Sequence, residues 1–280
     1  MPPVRTLCFV VNRGKVGAAA LAVALARMAR AAGVETRILD SFPLVADDLR
    51  GADLCIVIGG DGSILGVVPA CVDSGIPVLG VNLGRLGFMA SFTAIGIEHA
   101  LPGILNGHFR AAPRAVLLAR DAQGLCRHAL NDIVIKATAS RLVRLEVHCD
   151  AELVNTYNAD GLIIATPTGS TAYNLSAGGP IVHPEAPVLI LTPINPHTLS
   201  NRAIVLDACH TLEVRVHNDR GTVQVAADGM ELFDRATEFP LIVGIDRERQ
   251  FQLVQPSGQS HYELLRSKLD WKGDAIRGRG

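Results

Sequence analysis

The first 110 residues alternate short aliphatic runs with helical stretches, and this rhythm limits the chain to few architectures. Leu7 to Val11 is followed by an alanine-rich stretch from Ala18 to Ala32 closed by Gly33, then by Glu35 to Leu39. Leu54 to Ile58 leads through a glycine turn to an apolar stretch from Ile64 to Asp73, then to Val78 to Val81 and a helical stretch from Ile95 to Leu105 ended by Asn106-Gly107. Strands separated by helices in this way predict a parallel sheet flanked by helices, with ligands at the carboxyl ends of its strands.

Beyond Arg110 the rhythm changes. Short strand-like runs follow one another, split by turn residues such as Asp121-Ala122-Gln123-Gly124. They include Leu142 to Cys149, Leu153 to Tyr157, Leu162 to Ala165, Val188 to Leu191, Leu212 to Val216 and Leu241 to Ile245. This pattern predicts a mostly antiparallel β domain. The expected division is an α/β domain over 1–110 and a β domain over 111–258, with a closing helix at about 260–272 packing back on the first domain.

Composition removes several classes of function. With 26 basic and 27 acidic side chains the charges nearly cancel, so no global field draws in nucleic acid or an anionic membrane. The basic residues at the end, Arg266, Lys268, Lys272, Arg277 and Arg279, read as a solvated tail. The apolar run Leu7 to Val11 is far too short for a signal-peptide core or a membrane span, and a cytoplasmic location is expected. The six cysteines form no C-x-x-C pair and the nine histidines no metal-ligand spacing, so neither a disulfide framework nor a zinc site is expected.

Three segments carry chemistry. Gly59-Gly60-Asp61-Gly62-Ser63 lies between an apolar strand and an apolar helix, where glycines allow unusual dihedrals and close backbone approach to a phosphate. A bare carboxylate beside phosphates is repulsive, so Asp61 would face a magnesium ion or a hydroxyl to be deprotonated; an ordinary helix-capping aspartate is the competing reading. The second cluster, Asn82 to Phe88 with Arg85 inside it, follows a strand of the same sheet and should lie beside the first. The third, Asp160 to Tyr173, ends a buried strand in a dense run of hydroxyls suited to ribose and phosphate oxygens, with Tyr173 placed to stack on a base.

Gly-Gly-Asp-Gly at 59–62, Asn-Leu-Gly-x-Leu-Gly-Phe at 82–88, Asp-Gly-Leu-Ile-Ile-x-Thr-Pro-Thr-Gly-Ser-Thr-Ala-Tyr at 160–173, Ser-Ala-Gly-Gly-Pro-Ile at 176–181 and Pro-His-Thr-Leu-Ser at 196–200 together resemble the NAD kinases from about residue 55 to 230. The first motif is shared with phosphofructokinases and lipid kinases; the long hydroxyl segment followed by Pro-His-Thr-Leu-Ser is far more specific. The resemblance implies a Rossmann-like α/β domain joined to a mostly antiparallel β-sandwich. It implies ATP-dependent phosphorylation of the adenosine ribose 2′-hydroxyl of NAD to NADP, with a divalent metal, usually magnesium, and a homo-oligomer, dimer or tetramer.

Carried onto matching positions, the resemblance makes Asp61 the base and puts Gly62 in the same pocket. Asn131 and Asp132 match the pair contacting the dinucleotide, Asp160 the acid opening the long segment, and Thr171, Ala172, Tyr173, Asn174, Leu175 and Ser176 the nucleoside-binding stretch. Arg141 aligns with a basic or imidazole contact, Asn158 with a variable polar position, and Asp228 with a late Asp-Gly motif. Two positions depart from the pattern. Asp132 stands where Glu is usual, and Met230 replaces a customary Gln. Two other readings stand beside this one: a kinase of a lipid or sugar phosphate, and a non-catalytic dinucleotide sensor.

Overall fold

The structure, a computed structural model, describes residues 1–271 apart from 41, 43, 85, 86, 139–141, 199, 218–222, 233–235, 257 and 259. Arg85, Arg141, Leu199, Lys272, Arg277 and Arg279 therefore lie outside the described residues.

The chain opens with β1 (Thr6–Val11), α1 (Ala18–Ala31), β2 (Glu35–Leu39), β3 (Leu54–Gly59), α2 (Asp61–Leu65), α3 (Val68–Ser74), β4 (Val78–Asn82), a two-residue β5 (Phe92–Thr93), α4 (Ala94–Leu105) and β6 (Ala111–Arg114). β2, β1, β3 and β4 lie side by side, parallel, in that order. Both faces of the sheet are covered, so its strands are almost continuously apolar. Leu7, Phe9, Val11, Leu54, Ile56 and Ile58 point to one face, where α1 and α4 pack. Cys8, Val10, Cys55 and Val57 point to the other, under α3. In α1 the buried set is Ala18, Leu21, Ala22, Leu25, Ala26 and Ala29, the i, i+3, i+4 spacing of a single helix face.

The helical stretch expected from Ile64 to Asp73 is two helices. Asp61 itself begins the first, and Pro69 sits in the opening turn of the second. A proline interrupts helical hydrogen bonding except in a first turn, which is where this one falls.

The second domain contains β7 (Leu117–Arg120), β8 (Cys126–Ala129), β9 (Asp132–Ala137), β10 (Val143–Cys149), β11 (Glu152–Ala159), β12 (Gly161–Ala165), α5 (Tyr173–Ser176), β13 (Val188–Ile194), β14 (Ile204–Asp207), β15 (Thr211–His217), β16 (Val223–Ala227), β17 (Met230–Glu231) and β18 (Leu241–Ile245). They form two antiparallel sheets, ordered β11-β10-β15-β18-β7-β8 and β14-β13-β12-β9-β16-β17. One core cluster joins Leu145, Val147, Leu212 and Val243 of the first sheet to Ile133, Ile135, Leu162 and Ile164 of the second, so the sheets pack as a sandwich. The alternate residues Ile163 and Ala165 face outward and are covered by Ala177 and Val182.

The ends of the 111–258 segment, expected in the β domain, extend the first sheet instead. β19 (Phe251–Val254) pairs parallel to β4, and β6 pairs antiparallel to β19. The closing helix α6 (His261–Lys268) follows directly and buries Leu264 and Leu265. Among the described residues no helix is long and apolar enough to cross a membrane.

Candidate active site

The order β2-β1-β3 means that the chain leaves β1 to one side for β2 and to the other for β3, which opens a crevice at the carboxyl ends of β1 and β3. Asn12 closes β1 there and Gly59 to Ser63 close β3. The Asn12 side chain donates to Ser63 Oγ at 2.9 Å and accepts from the Gly14 amide at 3.0 Å. Asn12 escaped the sequence reading; its signal was one polar residue ending an apolar strand next to a glycine turn.

Of the glycines of this turn only Gly59 is required by space, and none is required by its dihedrals. Gly60 is extended, with φ −127°, and none of Gly59, Gly60 and Gly62 has a positive φ. A Cβ on Gly59 would fall 2.2 Å from Ser63 Oγ, so a larger residue would push the helix start away from the strand.

Asp61 is half-buried and organises the second glycine loop. Its Oδ2 accepts the Phe88 amide at 2.8 Å, while Oδ1 accepts the amides of Met89 at 3.1 Å and Ala90 at 2.8 Å. A Cβ on Gly87 would lie 1.9 Å from Asp61 Oδ1, so only glycine lets the loop close on the carboxylate. A carboxylate has about four lone-pair positions, and among the described residues three are taken; the remaining one is on Oδ2. Gly62 is exposed beside it.

The second half of the site comes from the β domain. Asp228, in the left-handed region at φ 51°, accepts amides from Leu130 at 2.7 Å, Asn131 at 2.7 Å and Asp132 at 3.2 Å. It thereby fixes the turn carrying Asn131 and Asp132 at the start of β9. Asp132 is 4% exposed, and burial, reinforced by the charge of Asp228, pushes its carboxyl up to about 7. Burial likewise lifts Asp228 to about 6 against the three amides that favour its charged form. The half-buried Met230 stands two residues beyond this clamp.

The segment after β12 packs on the same turn. Thr166 Oγ1 donates to the Leu130 carbonyl at 2.6 Å, and a Cβ on Gly169 would meet the Asn131 carbonyl at 2.0 Å. Thr171 lines a cavity with Thr168, Phe88 and Met89, which joins this segment to the loop held by Asp61. Ala172 and Leu175 are half-buried, while Tyr173 and Ser176 are exposed.

Asn174 is fully buried. Its amide donates to the carbonyls of Ser170 at 3.1 Å and Pro180 at 3.0 Å, and its oxygen accepts from Thr192 Oγ1 at 2.7 Å. Its side chain braces the segment from within.

Asp61, Gly62, Asn131, Asp132, Thr171 to Ser176 and Asp228 thus gather where the domains meet, whereas Asn158 and Asp160 do not join them. Ala165 pairs with Asp132 but Gly161 with Lys136, so Asp160 lies at the far end of β12, about 17 Å away at the rise of a strand. There Asp160 accepts from Asn195 Nδ2 at 3.0 Å, and the exposed Asn158 lines a separate cleft with Arg144, Thr156, His197 and His217. One further grouping was invisible in the sequence spacing: Cys149, Asp150 and His210 bring ligand atoms within 4.8 Å of one another at a remote hairpin.

A doubly wound sheet whose crevice presents glycine-walled amides and a fixed carboxylate, roofed by a β-sandwich, defines a phosphate-handling fold of two domains. Two family models match the chain: the ATP-NAD kinase N-terminal domain over residues 42–109 and the ATP-NAD kinase C-terminal domain over 130–246. The NAD kinase of Pseudomonas putida (strain W619) is 40% identical over 233 residues, covering 81% of this chain and 78% of the relative. That of Nitrosomonas europaea is 41% identical over 229 residues, covering 80% and 77%. Among solved structures, yeast NADH kinase complexed with NADH superimposes with a TM-score of 0.86 at 23% identity, covering 100% of this chain and 91% of that one. An NAD kinase from Archaeoglobus fulgidus in complex with ATP gives 0.77 at 23%, covering 96% and 100%. The chain belongs to the NAD kinase family.

Proposed function

We propose that Asp61 is the general base of an NAD kinase reaction in which this chain phosphorylates NAD with ATP, the acceptor being the adenosine ribose 2′-hydroxyl. The observation that carries the reading is the grip of three amides on Asp61, which leaves one lone pair, on Oδ2, for a hydroxyl. Oδ2 takes the hydroxyl proton as the ribose oxygen bonds to the γ-phosphorus and the bond from that phosphorus to the bridging oxygen of ADP breaks. The amides hold the carboxylate in one orientation, and positioning is most of what phosphoryl transfer asks of a protein. Asn131 and Asp132, fixed by Asp228, and the stretch Thr171 to Ser176 hold the dinucleotide.

Magnesium fits this crevice as an ion carried by the nucleotide. The carboxamide oxygens of Asn12 and Asn82, which accept the Gly14 and Gly84 amides at 3.0 Å each, are hard donors but too few for an all-protein cage, and Mg²⁺ usually keeps waters and substrate phosphates as ligands. These two oxygens would help hold it, and with ATP it would neutralise charge on the phosphates, leaving the open position on Asp61 Oδ2 to the hydroxyl. The same reading places the enzyme in the cytoplasm as a homo-oligomer, which light scattering tests.

The kinase reading is tested by mixing protein, NAD, ATP and magnesium and detecting NADP with an NADP-specific dehydrogenase. NADP should form, and the 2′-deoxyadenosine dinucleotide should give no product. Product from the 2′-deoxy compound would move the reaction to another hydroxyl. Phosphorylated lipid or sugar in place of NADP would restore the competing kinase reading.

A further inference from the structure

Two turns of the β-sandwich meet at one end of β10 and β15. Cys149 ends β10 and Asp150 begins the turn into β11, while His210 immediately precedes β15. β10 and β15 pair antiparallel with Cys149 opposite Leu212, which sets the two turns side by side. The Thr211 amide donates to Asp150 Oδ1 at 3.0 Å, and the Asp150 amide donates to the Thr211 carbonyl at 3.1 Å. The carboxylate is thus fixed by the backbone of the other turn, and its Oδ2 meets His210 Nδ1 at 2.6 Å across 60 positions of sequence.

One ligand atom from each of Cys149, Asp150 and His210 lies within 4.8 Å of the others. Around a tetrahedral zinc ion with bonds of roughly 2.0–2.3 Å, neighbouring ligand atoms are about 3.3–3.6 Å apart. Side-chain torsions can close the remaining gap to the thiol. Cys149 and His210 are half-buried and Asp150 is exposed, which leaves an ion an open path in. The surroundings favour a cation. Glu152 lies close enough to act on the Cys149 thiol, and Asp207 accepts the Cys209 amide at 2.8 Å; the opposing charge is Arg247, whose guanidinium donates to the Cys209 carbonyl. The Cys209 thiol bonds Asp207 and stays outside the group.

We propose that Cys149, Asp150 and His210 form a zinc site that clasps the β10–β11 turn to the turn before β15, with water as the fourth ligand. The donor set chooses the metal: a thiolate and an imidazole beside one carboxylate suit zinc, whereas magnesium carried with ATP prefers oxygen ligands alone. On binding, the Cys149 thiol gives its proton to solvent, and the neutral His210 ring carries its proton on the nitrogen turned away from the ion. The group stands clear of the substrate site. Thr211 lies opposite Gly244, Gly244 opposite Leu118 and Leu118 opposite His128, so three strand spacings, about 14 Å, separate it from the strand leading to Asn131.

The test titrates the full chain, first stripped with a chelator, with Co²⁺ as a spectroscopic probe and with Zn²⁺ against a chromogenic chelator. One ion per chain should bind, giving a thiolate-to-cobalt absorption band that Zn²⁺ abolishes and excess Mg²⁺ leaves in place. Cys149→Ser should lose the band. His210→Ala should weaken Zn²⁺ by more than the roughly 10- to 100-fold that losing an outer-shell partner costs. Cys209→Ser should keep both band and affinity, and Zn²⁺ should raise the Tm of the wild type but not of Cys149→Ser. Should Cys149→Ser fail to fold, His210→Ala reads the same site alone. Absence of the thiolate band, its survival in Cys149→Ser, its loss in Cys209→Ser, or a wild-type Tm that Zn²⁺ does not raise overturns the proposal.

Discussion

Replacing Asp132 by Asn should change how stability depends on pH, and the sign can be worked from the structure. In the folded protein this buried carboxyl titrates at about 7 instead of 3.8. A raised folded pKa means that the folded state binds the extra proton, so its contribution is fully present below about pH 4 and is lost as pH rises through about 7. At 1.36 kcal/mol per pH unit, the loss across that window is about 4 kcal/mol, taken as an upper limit because proteins screen buried charge. Asn has nearly the same shape and never ionises. The stability of Asp132→Asn relative to the wild type should therefore rise by about 2–4 kcal/mol between about pH 4 and pH 8. Guanidinium unfolding at a series of pH values, without nucleotide, measures it. Parallel curves for the two proteins would show that Asp132 ionises in the folded state like an exposed carboxylate, and the account of the Asp132–Asp228 pair would fail.

Two further substitutions test single contacts. In Gly87→Ala the new Cβ would lie 1.9 Å from Asp61 Oδ1, forcing the carboxylate or its loop aside; turnover should fall about 100-fold, the scale of an ångström-size misplacement. Near-wild-type kcat in that variant contradicts the claim that the loop sets the carboxylate's position. Asn174→Ala strips the bonds to Ser170, Pro180 and Thr192 and leaves buried groups unsatisfied, so unfolding should become easier by about 3–5 kcal/mol. A change within about 0.5 kcal/mol, the range of ordinary surface substitutions, would mean that Asn174 braces nothing.

What the sequence revealed follows the range of the forces involved. The parallel sheet was legible because its strands are short aliphatic runs between periodic helices, and the glycine turns because they punctuate those runs. The split between α2 and α3 was written in Gly66 and Pro69 but hidden by the apolar run around them. Positions fixed by distant contacts were harder to read. Asp228 matched an Asp-Gly motif, yet its clamp on Leu130 and Asn131 spans 98 and 97 residues. No local pattern reports such a bond. β19 looked like any strand of the β domain and β6 was not read as a strand, and their place in the first sheet depends on pairing that alternation does not encode. The run from Thr171 to Ser176 showed its hydroxyls but not that Asn174 turns inward. Asp160 was assigned to the site by motif position alone, and antiparallel pairing of β12 with β9 puts it at the opposite end of the strands from Asn131.

The most direct test of the central claim is single-turnover NADP formation by Asp61→Asn, alongside NAD binding by the same protein. The variant keeps an oxygen for the Met89 and Ala90 amides but turns an N–H group toward Phe88 or toward the ribose, so it cannot take a proton. NADP formation should fall by about 10²- to 10⁴-fold, the usual contribution of a general base, with NAD affinity largely kept. NADP formation near the wild-type rate would show that the proton goes elsewhere and that Asp61 only ties the two glycine loops together.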